Sequence, residues 1–129
     1  MAMAVQASLI GIERVVDQAL AIYRAHLDRA VEVPLGDMVD RGIGVDAARL
    51  SVVAAIDNRV AEIVIDETVV CGQLIQSVWS LAEQGWTTTI VVPAARIGEA
   101  HYALRGLPCR LQAWWEEGST ICFGAYENP

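Results

Sequence analysis

The sequence predicts an α/β domain, two-layer or three-layer-like, with a partly parallel sheet, N-terminal helices and a C-terminal β-hairpin. Three observations carry this. From Ala61 to Gly106 the chain reads apolar strand, amphipathic helix, apolar strand, helix, and crossover helices of that kind join parallel strands. A long helical repeat precedes this run, and two strands around a Glu-Gly turn follow it. The 129 residues fit one domain, with a helical part over about 7–58 and a β-α-β-α-β-hairpin part over about 60–127.

Leu9, Ile12, Val16, Leu20, Tyr23 and Leu27 recur every three or four residues, with Glu13, Arg14, Asp17, Gln18, Arg24 and Asp28 opposite. This predicts a helix over about 7–29. Val31 to Val33 make at most a short strand, because Pro34 closes it. Apolar positions at Leu35, Met38, Val39, Leu50, Val53 and Ile56 predict two further helices around Gly42-Ile43-Gly44, with Asp46 as N-cap of the second.

A strand starts near Val60 and includes Ile63, Val64 and Ile65. It either stops at Asp66 or runs through Val70 to a turn at Cys71-Gly72. The longer strand is preferred, since Gly72 then sits in a turn and not inside a helix. Leu74, Ile75, Val78, Trp79, Leu81 and Ala82 form the next helix face, and Gly85 ends it. Thr87 to Val92 is a β-branched strand closed by Pro93, and a helix over Ala94 to Arg105 stops at Gly106. The hairpin joins Cys109–Glu116 to Ser119–Glu127 through Glu117-Gly118, so residues whose numbers sum to 235 should lie opposite and Ala113 should face Cys122. Leu111, Ala113 and Trp115 fall on one face and Trp114, Ile121 and Phe123 on the other. Such double-sided apolarity calls for a central or partner-covered hairpin.

Composition narrows the function. Nine Arg, no Lys and sixteen acids give a formal charge of −7. That balance argues against nucleic acid as a partner, as does the absence of an Arg cluster. Helix, glycine turn, helix over residues 35–58 permits a helix-turn-helix, yet Asp37, Asp40, Asp46 and Asp57 would repel phosphate. The missing Lys removes the phosphate-loop and Schiff-base mechanisms. Arg-only basicity with surplus acid fits GC-rich coding or adaptation to high salt. No apolar run reaches membrane-span length, the start lacks a secretory leader, and three cysteines form neither a zinc nor a Cys-x-x-Cys pattern. A cytoplasmic protein without membrane contact, cofactor or metal is expected. The 54% apolar composition exceeds what one small core requires and predicts a homo-oligomer.

Four groups of residues could carry function. Cys71, ahead of a helix, is the candidate nucleophile, with His101 as its base. Asp66 and Glu67 could act together at the carboxyl edge of the sheet, as metal ligands or as acid and base, although capping and solvation explain them equally well. Ala94, Ala95 and Arg96 link a strand to a helix, where small residues let an anion reach backbone N–H groups and Arg96 adds a charge; Glu99, three residues on, can pair with that Arg instead. Trp114 and Trp115 point to opposite faces of one strand and, with Phe123, are the expected interface residues. The favoured function is a non-catalytic regulatory or assembly domain that self-associates and binds a small anion or a protein partner. The alternative is a small hydrolase-like cysteine enzyme using Cys71 and His101.

Overall fold

The computed structural model describes residues 2–39, 43–66 and 68–129, with side chains on the first helix from Ile12 onward. A mixed six-stranded sheet runs in chain order, β1 (Ala30–Pro34), β2 (Ser51–Ala55), β3 (Val60–Val64), β4 (Thr87–Pro93), β5 (Arg110–Glu117) and β6 (Thr120–Phe123). β3, β4 and β5 are parallel neighbours, and the outer pairings are antiparallel. α3 (Ile75–Glu83) and α4 (Ile97–Ala103) make the two parallel crossovers. Both crossovers step the same way across the sheet, which puts both helices on one face. α1 (Ala2–Ala25) covers the other face, so the predicted α/β class is present in a three-layer form.

Strand alternation divides the core between the layers. Val52, Ile63, Ile90, Val92 and Leu111 pack with Val78, Leu81 and Leu104 on the α3/α4 side. Val53, Val64, Val91 and Ile121 pack with Val15, Val16, Ala19 and Leu20 of α1, joined by Tyr23, Trp114 and Phe123. The apolar hairpin face of Trp114, Ile121 and Phe123 thus finds its cover in α1. Among the described residues no helix is long and apolar enough to cross a membrane.

Several expected elements differ. Residues 51–55 form β2 and not a helix. Val52 and Val53 are both fully buried, one on each face, and burial on two sides erases the alternation that marks a strand. What remained was the spacing of Leu50, Val53 and Ile56, which imitates a helical turn. The expected helices shrink to a 3-10 turn at Leu35–Asp37 and the four-residue α2 (Val45–Ala48). Gly44 is the N-cap of α2, while Asp46 lies in its first turn; Asp40 and Gly42 lie outside the described residues. β1 is longer than its proline suggested, because Pro34 falls at its last position, where a lost N–H is tolerated.

α1 ends before the expected boundary. Leu27 takes a left-handed φ of 61° and is 91% exposed, so it belongs to the exit from the helix and not to its apolar face. β3 ends at Val64 and does not run to Val70, since Asp66 Oδ1 accepts from the Thr68 amide and hydroxyl and folds the chain into a local turn. Cys71 still opens the 3-10 turn that leads into α3. Ala94–Arg96 is likewise a 3-10 turn ahead of α4, and Gly85 and Gly106 end the two helices with φ of +86° and +77°. In the hairpin, Trp114 faces Phe123 and Trp115 faces Cys122, so paired numbers sum to 237 and not 235. The turn is centred one residue later, at Gly118-Ser119. A slip of two preserves the face of every side chain, which is why the predicted faces hold while the predicted partners do not.

Candidate functional site

The α1 face of the sheet carries a row of polar positions among its valines. Glu32, Val53, Glu62, Thr89 and Arg110 lie side by side across β1 to β5. Glu62 is the central one and is only 3% exposed. A lone carboxylate on an otherwise apolar strand costs several kcal/mol to bury unless something balances it, about the effective penalty for one ion. Its neighbours supply hydrogen bonds in place of a salt bridge.

Tyr23 reaches down from α1 and donates its hydroxyl to Glu62 Oε2 at 2.8 Å. Tyr126 donates to the same oxygen at 3.3 Å from the C-terminal segment. That segment is held on β5 by reciprocal backbone bonds between Leu111 and Glu127, at 2.7 and 2.8 Å. Among the described residues, Oε1 accepts no hydrogen bond. Arg110 is close enough to influence Glu62 but makes no ion pair with it: its Nε and Nη2 donate to Thr89 Oγ1 at 3.1 and 2.9 Å, and its guanidinium lies 3.8 Å from the centre of the Tyr126 ring.

Burial raises the Glu62 carboxyl above the ordinary glutamate value, opposed by the two tyrosine hydroxyls and more weakly by Arg110. Both tyrosines are raised as well, first by burial and next by the charge of Glu62. Beside this triad lies a cavity of about 100 Å³. Ala19, Ile22 and Phe123 form its apolar wall, and Tyr23, Glu62, Gln112 and Tyr126 its polar side. Gln112 is fixed by donating to the Gly124 carbonyl at 3.0 Å. Ile22 and Tyr126, 40% and 48% exposed, mark where the cavity meets solvent. The arrangement can accept a hydrogen-bond donor or balance a positive charge at Glu62, and can grip a small apolar group against Phe123.

Of the residues singled out in the sequence, Phe123 lines this cavity and the others lie elsewhere. Cys71 is 1% exposed, and burial, followed by the charge of Glu99, raises its thiol, with Arg96 pulling the other way. Arg96 is held by Glu99 through contacts of 3.1 and 3.2 Å. Cys71, Arg96 and Glu99 are therefore neighbours, beyond the carboxyl ends of β3 and β4. His101 is turned to Glu127, with Nε2 2.9 Å from Oε1, and no hydrogen bond joins it to Cys71 among the described residues. Asp66 is engaged by Thr68, Ala94 and Ala95 are exposed, and Glu67 lies outside the described residues. Trp114 packs beneath α1 with Phe123, while Trp115 is half-buried on the opposite face and donates to Glu117 Oε1 at 3.2 Å.

The Glu62 site left one trace in the sequence, an acid inside Val60-Ala61-Glu62-Ile63-Val64. Tyr23 passed as one more apolar helix position, and Tyr126 had no spacing to mark it. Comparison with protein-family models, with curated proteins and with solved structures finds no match for this chain.

Proposed function

We propose that this chain is a non-catalytic regulatory domain that binds a small ligand in the cavity between α1 and the sheet, at Glu62. The observation that carries this is a carboxylate almost wholly buried, without an ion pair among the described residues, on the wall of a cavity that reaches solvent. Buried polar groups that the fold leaves partly unserved, in a concave site with apolar walls, are what a small-molecule site consists of. The turn at Ala94–Arg96 is the weaker candidate, because Glu99 already occupies the Arg96 guanidinium. A cysteine enzyme is disfavoured by the buried Cys71 thiol, which is raised and not lowered, and by the pairing of His101 with Glu127.

The test is an amide NMR titration of the protein with small amines, alcohols and carboxylates at millimolar concentration, one compound at a time. At least one class should shift the resonances of Tyr23, Glu62 and Tyr126 together in a saturable manner. The reading is wrong if every compound leaves those resonances unmoved, or if the shifts gather around Cys71 and His101.

A further inference from the structure

We infer that the ligand of this cavity is an organic cation, whose substituted ammonium head sits against the Glu62 carboxylate and the rings of Tyr23, Phe123 and Tyr126; this rests on the binding function proposed above. Charge is the first argument. Arg110, the cation nearest in register, is committed to Thr89 and stacked on Tyr126, so it offsets the Glu62 charge only at a distance, and Oε1 has no hydrogen-bond partner among the described residues. An anion would have to enter against Glu62 and against a chain of net charge −7. A neutral guest would exclude water from Oε1 without adding a positive charge to replace it.

The walls are the second argument. Three aromatic side chains line so small a space, and aromatic faces attract cations, most effectively ones that shed water easily. Tyr126 already holds one cation in this way, the guanidinium of Arg110. A metal ion fits poorly, because hard cations require several oxygen ligands and Glu62 supplies the one carboxylate in the lining. Size is the third argument. A cavity of about 100 Å³ is smaller than the ~150 Å³ space that takes benzene, so it suits a head group of a few heavy atoms. The remainder of the ligand would leave past Ile22 and Tyr126.

The experiment compares choline with its neutral carbon isostere, in which a tert-butyl group replaces the trimethylammonium, and with acetate, following the resonances of Tyr23, Phe123 and Tyr126. Choline should bind about tenfold more tightly than the isostere, the margin a desolvated cation–π and charge contact gives. Glu62→Gln should bring the two to parity. Tyr126→Leu should weaken choline several-fold while Tyr126→Phe, which keeps the ring, should not; this pair decides the matter if Glu62→Gln fails to fold. Equal binding of the isostere, or a preference for acetate, overturns the cation assignment and leaves the binding function standing. If none of the three probes moves these resonances and the wider panel is silent as well, both fall.

Discussion

Glu62 makes the stability of this protein depend on pH in a direction opposite to that of a salt-bridged acid. Its carboxyl is raised in the folded state, so folding favours the protonated form. The contribution is complete below the unfolded glutamate value and is lost as pH rises through the folded one. The groups facing it are Tyr23 from α1, Thr89 and Arg110 from β4 and β5, and Tyr126 from the C-terminal segment. Both tyrosines are raised, first by burial and next by the charge of Glu62, so within this group Glu62 is the acid whose titration this dependence follows. Glu62→Gln, which keeps an acceptor for the hydroxyls, should stabilise the protein by about 1 kcal/mol or more at pH above the raised Glu62 value. The gain should vanish in acid, and thermal melts across pH measure it. The thiols offer a second check at this scale. Cys71 and Cys109 are buried, and burial pushes Cys109 up to about 11, whereas Cys122 is half-buried. A thiol reagent under native conditions should modify Cys122 first, with Cys71 and Cys109 following only on unfolding, as peptide mapping would show.

At the level of elements, the connection from β2 to β3 rests on one side chain beyond both strands. Asp28 is 6% exposed, and its two oxygens accept from the Asp57 amide at 3.1 Å and from the Asn58 side chain. Arg29 donates Nε and Nη2 to Asp57 Oδ1 and its amide to Oδ2, and Arg59 completes the turn with a positive φ of 53°. Asp28→Ala should cost about 1.5–3 kcal/mol, the worth of hydrogen bonds to a charged acceptor, and should first loosen amide protection in β2 and β3. Arg29→Ala removes an exposed pair and should leave the thermal midpoint close to that of the parent protein. Legibility followed the same physics. α3 could be read from its one apolar face and the glycine that ends it, and β4, buried on both faces, from an unbroken β-branched run closed by Pro93. β2 could not, because burial on both faces hides its period. The ends of β3 and α1 depend on Asp66 and Leu27, whose local conformations carry no periodic signal.

Over the whole molecule, two cores share one sheet. Ile90 lies at the centre of the α3/α4 side and is fully buried. Ile90→Ala should cost about 2–5 kcal/mol in chemical denaturation. α1 is tied to the far end of the sheet by Arg14, which pairs with Glu116 at 3.1 Å and donates to the Ser119 carbonyl. The Glu62 site exists only once these parts have come together, its hydrogen bonds spanning 39 and 64 positions of sequence. A motif search along the chain therefore meets the cysteine, the histidine and the aspartate before it meets the site.

The order of the strands has one more consequence, at the two rims of the sheet. β1 forms one rim, with Glu32 exposed and accepting from the Ser51 hydroxyl and Pro34 withholding an amide, and the four-residue β6 forms the other. Short, charged or proline-bearing rims are poor templates for a foreign strand. A sheet whose strands are this rich in valine and isoleucine would otherwise invite stacking into fibres. Here both rims disfavour growth of the sheet by edge addition.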